Sequence, residues 1–174
     1  AVSGAELAIS STGVLTFVAA PDFETKATYT ATVTVNDGVN DTTQAITVSV
    51  TNVNDIAPVI SSAATFSAAE NQTGIGSVVA TDAEGDSLTY KVSGTELAIS
   101  STGVLTFVSA PDFETKSSYT ATVTVNDGVN DTTQAITVSV TNVNDIAPVI
   151  SSSATFSAAE NQTAIGSVVA TDAE

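Results

Sequence analysis

The chain has 174 residues and a formal net charge of -16, with no cysteine, histidine, methionine, tryptophan or arginine. That composition excludes disulfides, thiolate or imidazole metal sites and any catalytic triad that needs a histidine base. Nineteen acids against three lysines (Lys26, Lys91 and Lys116) argue against nucleic acid or an anionic membrane as partner, because both need a basic surface, and favour a divalent cation.

Residues 1–84 recur at 91–174 with seven differences: Ala1/Lys91, Ala5/Thr95, Ala19/Ser109, Ala27/Ser117, Thr28/Ser118, Ala63/Ser153 and Gly74/Ala164. A period of 90 exceeds the roughly 20–50 residues of a solenoid unit, so each period reads as a whole domain in a tandem array. The expected division is 1–56 as the C-terminal portion of one repeat, 57–145 as a complete repeat and 146–174 as the N-terminal portion of the next.

Residues 1–56 copy 91–146, so the elements are best taken in order through the complete repeat. Val59–Ile60 reads as an edge piece, followed by short strands at Ala64–Ala68, Gly76–Thr81, Ser87–Ser93 and Leu97–Ser100. Ser101-Thr102-Gly103 signals a turn before a strand at Val104–Val108. In Tyr119–Val125, Tyr119, Ala121, Val123 and Val125 point one way and the threonines the other. Ile136, Val138 and Val140 repeat this alternation, with Thr137, Ser139 and Thr141 between them. The turn-rich Asn126–Asp131 joins the two as a hairpin. No stretch has helical periodicity and no apolar run reaches the roughly 18–20 residues of a membrane span. The expected fold is all-β, a seven-stranded Greek-key (immunoglobulin-like) β-sandwich in tandem repeats.

Neither flank holds a whole sandwich. Residues 147–174 copy 57–84, so the two flanks together omit only the counterpart of Gly85–Tyr90. Standing alone, the chain is expected to form head-to-tail strings, the front strands of one molecule completing the back portion of the next. The alternative is a window onto a longer polypeptide.

Acids and amides recur at five places. They are Ala69-Glu70-Asn71, Asp82-Ala83-Glu84, Pro111-Asp112-Phe113-Glu114 with its copy Pro21-Asp22-Phe23-Glu24, Asn126-Asp127-Gly128, and Asn52-Val53-Asn54-Asp55-Ile56 with its copy at 142–146. Asp112 and Glu114 lie two apart, so in extended chain both point the same way, as do Asp82 and Glu84. Like charges about 4 Å apart repel by roughly 1 kcal/mol in water and by more where water is excluded. A cation reverses the sign. Ca²⁺, which takes six to eight hard oxygens in a flexible cage, suits such ligands better than Mg²⁺, which demands a tight octahedron.

All five sets, in order and twice over, resemble cadherin repeats, most closely those of large bacterial surface adhesins. The resemblance implies up to three Ca²⁺ ions between consecutive domains. At a first junction Asp22, Glu24, Asn52, Asn54 and Asp55 would meet Asp82, Glu84 and Asp127. At a second, Glu70, Asp112, Glu114, Asn142, Asn144 and Asp145 would meet Asp172 and Glu174. The chain departs from the family pattern at Asn52 and Asn142, where the family has Asp, at Ile56 and Ile146, where it has Asn, and at Glu84, where it has Asp. Fewer oxygens and less charge imply fewer ions or weaker binding.

The function implied is that of a Ca²⁺-dependent extracellular adhesin repeat, a rigid spacer projecting a distal binding domain. Its partners would be neighbouring repeats of the same chain, without direct membrane insertion. The alternative is a homophilic or carbohydrate-binding surface module, for which the chain supplies no tryptophan and few aromatics. Catalysis is not expected: a glycosidase needs two acids facing across a cleft, and these lie at domain ends. Phe113 is expected to face the core. Asp86 reads as a solvated loop acid, near enough to Glu84 to serve as a reserve ligand.

Overall fold

The computed structural model describes residues 1–173. The first 56 residues form β1 (Leu7–Ile9), β2 (Leu15–Phe17), β3 (Thr28–Asn36) and β4 (Asp41–Ser49). The complete period forms β5 (Val59–Ile60), β6 (Thr65–Ala69), β7 (Gly74–Ser77), β8 (Ala80–Thr81), β9 (Thr89–Val92), β10 (Leu97–Ile99), β11 (Val104–Phe107), β12 (Ser118–Asn126) and β13 (Asp131–Thr141). Beyond it lie β14 (Val149–Ile150) and β15 (Ala170–Thr171). Among the described residues there is no helix, and so none long and apolar enough to cross a membrane.

The Val/Thr alternation decides the central hairpin. β12 and β13 pair antiparallel from Ser118–Ser139 to Asn126–Asp131, so Val123, Val125, Ile136, Val138 and Val140 all turn inward and are buried. β9 adds antiparallel to β12 and β6 adds parallel to β13, giving a four-stranded sheet in the order β6-β13-β12-β9. Leu97, Leu105 and Phe107 pack on it from β10 and β11, which form a second sheet with β7 in the order β10-β11-β7. The rings of Phe107 and Tyr119 meet edge to face, 5.0 Å between centroids. Each fully buried aliphatic or aromatic side chain contributes about 1.5–3 kcal/mol, so this seam holds the two sheets together.

The strand expected over Gly76–Thr81 is broken. β7 pairs with β11 and β8 pairs with β5, and the change of partner falls at Val78-Val79. There the Val78 N–H donates to the Gly103 carbonyl (2.8 Å), while the Val79 carbonyl accepts from Ser61 N–H (2.9 Å). Counted across this break, and with β5 and β6 as halves of one opening strand, the period is a seven-stranded immunoglobulin-like sandwich.

Gly103 makes the break close. Its φ is +82°, and a Cβ there would run into the Val78 carbonyl. Its copy Gly13 has φ +83° with nothing within 4 Å of such a Cβ. Gly103→Ala therefore carries backbone strain and a backbone clash, and Gly13→Ala carries strain alone. Thermal unfolding should show Gly103→Ala to be the costlier, at about 1–3 kcal/mol or more.

The flanks repeat these local pairings without the cover. β1–β2 and β3–β4 have the registers of β10–β11 and β12–β13, and β14–β15 has that of β5–β8. Yet Val35 is 65% exposed where its copy Val125 is 0%. Residues 1–56 contain no counterpart of the β6 and β7 that lie over the core of the complete period.

Candidate metal centre

The linker reaches the complete period through paired backbone and side-chain bonds. Asp55 N–H and Ile56 N–H donate to the two carboxylate oxygens of Glu84 (3.0 and 3.1 Å). Asn54 donates to the Asp127 carbonyl (3.3 Å) and accepts from the Asn130 side-chain amide (2.8 Å). The tip of the β12–β13 hairpin and the acidic turn after β8 thus both grip residues 54–56.

Carboxylates gather at this grip. Oxygens of Glu24, Asp55 and Glu84 lie within 4.8 Å of one another, and so do those of Asp82, Glu84 and Asp86. Glu84 belongs to both groups, so four further acids, from three stretches of chain, meet around it. Asp82 Oδ1 accepts from the backbone N–H of Glu84 (2.9 Å) and Asp86 (3.2 Å), while its Oδ2 is buried without a hydrogen-bond partner. An unpartnered buried carboxylate oxygen is costly unless a cation meets it. All the donors are hard oxygens, which fits Ca²⁺. Burial, then the nearby Glu84 charge, pushes the Glu24 carboxyl above its ordinary range, so protons compete with a cation there as pH falls.

The second gathering is Glu70, Asp112 and Glu114, again within 4.8 Å. Glu70 is 3% exposed, and its two oxygens accept from Phe113 N–H (2.8 Å) and Val143 N–H (2.7 Å). Asn71, at a left-handed φ of 63°, donates its side-chain amide to Asp145. Phe113 packs against the core, which leaves Asp112 and Glu114 on its outer side.

Asp22 and Asp127 stand beside the first group, Asp22 against Glu24 and Asp127 against Asn54. Asp22 caps its own turn, taking N–H groups of Glu24 and Thr25 and the Thr25 hydroxyl, and the Thr25 bonds hold its carboxyl below the ordinary range. Asp127 is buried, which pushes its carboxyl up. Donors from Asn130, Val129 and Asn54 outweigh that and hold it low. Asn52, Asn142, Asn144 and Asp172 are exposed. Glu174 lies outside the described residues. Asn130 and Asn71 were not among the expected ligands, and Asp86 stood only in reserve. The signal for each was local: an Asn or Asp in a turn, beside an expected acid.

The fold and these end-clustered acids define a cadherin-like, immunoglobulin-like repeat. The chain belongs to the bacterial Ig domain family, whose profile matches residues 54–141. It is 35% identical over 141 residues to Chitinase A of Pseudoalteromonas piscicida, covering 79% of this chain and 17% of that protein. Among solved structures it is similar to the protocadherin gammaB7 EC3-6 cis-dimer (TM-score 0.81, 25% identity, 99% of this chain and 51% of that one). It also resembles mouse cadherin-23 EC22-24 (TM-score 0.70, 20% identity, 97% and 61%). Such a fold suits an adhesion-type module at a cell surface or outside it.

Proposed function

We propose that the chain is a Ca²⁺-clamped spacer of an extracellular adhesin, whose stiffness is set at the junctions between repeats. The supporting observation is the pair of acid groups sharing Glu84, with the partnerless buried Asp82 Oδ2 among them. Asp82, Glu84 and Asp86 come from the complete repeat, Asp55 from the linker and Glu24 from the preceding unit. A bound Ca²⁺ supplies the positive charge and the coordination positions for these oxygens. Without it, five carboxylates repel across the joint and favour bending; with it, the same groups resist bending. At the second junction Glu70, Asp112 and Glu114 would form the matching half, with Asp145, Asp172 and Glu174 as further ligands.

Small-angle scattering with millimolar Ca²⁺ and then with chelator tests this. The expected result is a longer, straighter particle with Ca²⁺. Equal maximum dimensions in the two conditions would count against the clamp.

A second reading follows from the match to part of a protein named Chitinase A. There the repeat would set the distance of a polysaccharide-acting unit rather than an adhesive one. The mechanical role is the same, and the sequence flanking such repeats would tell the two apart.

A further inference from the structure

We propose that Lys116 is a positioning residue for the group of Glu70, Asp112 and Glu114. Through its ion pair with Glu96 and its seat on the Tyr119 ring, it holds the turn that carries Asp112 and Glu114 in the shape a cation needs. This deepens the spacer reading and rests on it. All six residues lie in the complete repeat.

Positive charge is scarce in this chain, which sets three lysines and no arginine against nineteen acids. Two of the three, Lys116 and its copy Lys26, stand at the same place in the repeat, four residues after Asp112 and Asp22. The third, Lys91, is alanine in the other copy. By charge alone, an ammonium two residues past Glu114 opposes a cation there. An ion pair between side chains 41% and 54% exposed adds little to stability. Neither effect accounts for a lysine at this place, but its contacts do.

The turn has two anchors. At its entry Glu70, itself one of the three acids, accepts from Phe113 N–H (2.8 Å). Within it the two oxygens of Asp112 take the Thr115 N–H and hydroxyl (both 3.0 Å). At its exit Lys116 N–H closes on the Asp112 carbonyl (2.9 Å). The lysine side chain then runs on: Nζ donates to Glu96 Oε1 (2.5 Å) and lies 4.3 Å from the centre of the Tyr119 ring. Both partners are themselves fixed. The Glu96 carbonyl accepts from Val108 N–H (2.9 Å), which ties it to the end of the β10–β11 hairpin, and Tyr119 lies in β12 with its ring against Phe107. The exit of the turn is thus fastened to one sheet through Glu96 and to the other through Tyr119.

The clasp recurs in the first unit. Lys26 Nζ donates to both Glu6 oxygens (2.6 Å), lies 4.5 Å from the Tyr29 centroid, and its N–H closes on the Asp22 carbonyl (2.9 Å). Three of the seven differences between the copies (Ala5/Thr95, Ala27/Ser117 and Thr28/Ser118) fall on immediate neighbours of Glu96, Lys116 and Tyr119, while those three residues are unchanged. Outer partners that orient metal-binding groups typically contribute about 10–100-fold in affinity. Lys116 acts through the turn rather than on a ligand directly, so about tenfold is expected.

Amide NMR of the 174-residue chain during Ca²⁺ titration tests the proposal. Phe113 and Val143 N–H donate to Glu70 and report this group, while Asp55 and Ile56 N–H donate to Glu84 and report the other junction. Lys116→Met and Glu96→Gln should each weaken Ca²⁺ about tenfold at Phe113 and Val143 and leave Asp55 and Ile56 unchanged. The double variant should bind no more weakly than either single one, because both break one clasp. Lys116→Arg, which keeps the pair and the ring contact, should bind like the wild type. In EDTA, Lys116→Met should speed hydrogen exchange at Thr115 and Lys116 N–H positions and leave β13 unchanged, which shows that the variant is folded. Charge acting alone would make Lys116→Met bind Ca²⁺ more tightly. That result overturns the proposal, as do single variants that bind like the wild type. A wild type whose Phe113 and Val143 amides do not respond to Ca²⁺ overturns the metal reading of this junction, and the proposal with it.

Discussion

Calcium at about a hundred times its dissociation constant should raise the unfolding temperature of the complete repeat by roughly 10–20 °C, and Glu84→Gln should remove the share of that gain due to the first junction. The size follows from linkage. A ligand that binds only the folded state at about a hundredfold excess stabilises by about 2.7 kcal/mol. A domain of 60–100 residues shifts by about 4–8 °C per kcal/mol. Glu84 is the sensitive position because it stands in both carboxylate groups and also accepts the linker N–H groups of Asp55 and Ile56. Gln keeps the shape and one acceptor oxygen but loses the charge and the second acceptor. In EDTA the same substitution should cost little or even stabilise, since it removes the repulsion of Glu84 with Glu24, Asp55, Asp82 and Asp86. Calorimetry of both chains, with and without Ca²⁺, reads all four values. A Ca²⁺ response that Glu84→Gln leaves unchanged would locate the binding elsewhere.

Much of this arrangement is legible in the residues. Alternation from Tyr119 to Val125 and from Ile136 to Val140 points to the inward faces of β12 and β13, and the Asn126–Asp131 turn to their pairing. Asp112 and Glu114 do meet, but in a turn over residues 113–115 that Asp112 caps, not in the extended chain their spacing suggested. What local pattern does not carry is partnership between distant segments. Ser77-Val78-Val79 reads as continuous strand, and its break depends on the Gly103 carbonyl and on β5, neither of which is near in sequence. Asp22 and Asp112 sit in the same local sequence and both cap a following Thr. Asp112 closes a three-carboxylate group with Glu70 and Glu114, whereas Asp22 has Glu24 beside it and no counterpart of Glu70 in residues 1–56. The Asn130 amide that reaches Asn54 was hidden for the same reason: its composition says turn, and only the linker's approach makes it a clamp.

The same dependence on distant cover gives the other large effect. Phe107→Ala should destabilise the complete repeat by about 3–5 kcal/mol, much of the 5–15 kcal/mol that holds a domain of this size folded. Phe17→Ala, the identical change in the identical local sequence, should cost the first unit distinctly less. Each ring meets a tyrosine edge to face at 5.0 Å, so the aromatic pair is equal in both. Each sits in the same register, Phe107 opposite Leu97 and Phe17 opposite Leu7. The difference is burial: Phe107 is 2% exposed beneath the front strands, and Phe17 is only partly covered. Truncating a ring already open to water leaves no closed cavity and returns less apolar area to solvent. Hydrogen exchange resolved by peptide separates the two units, because protection in β12 reports the complete repeat and protection in β3 reports the first. Equal losses of protection would mean that Phe17 is as well covered in solution as Phe107.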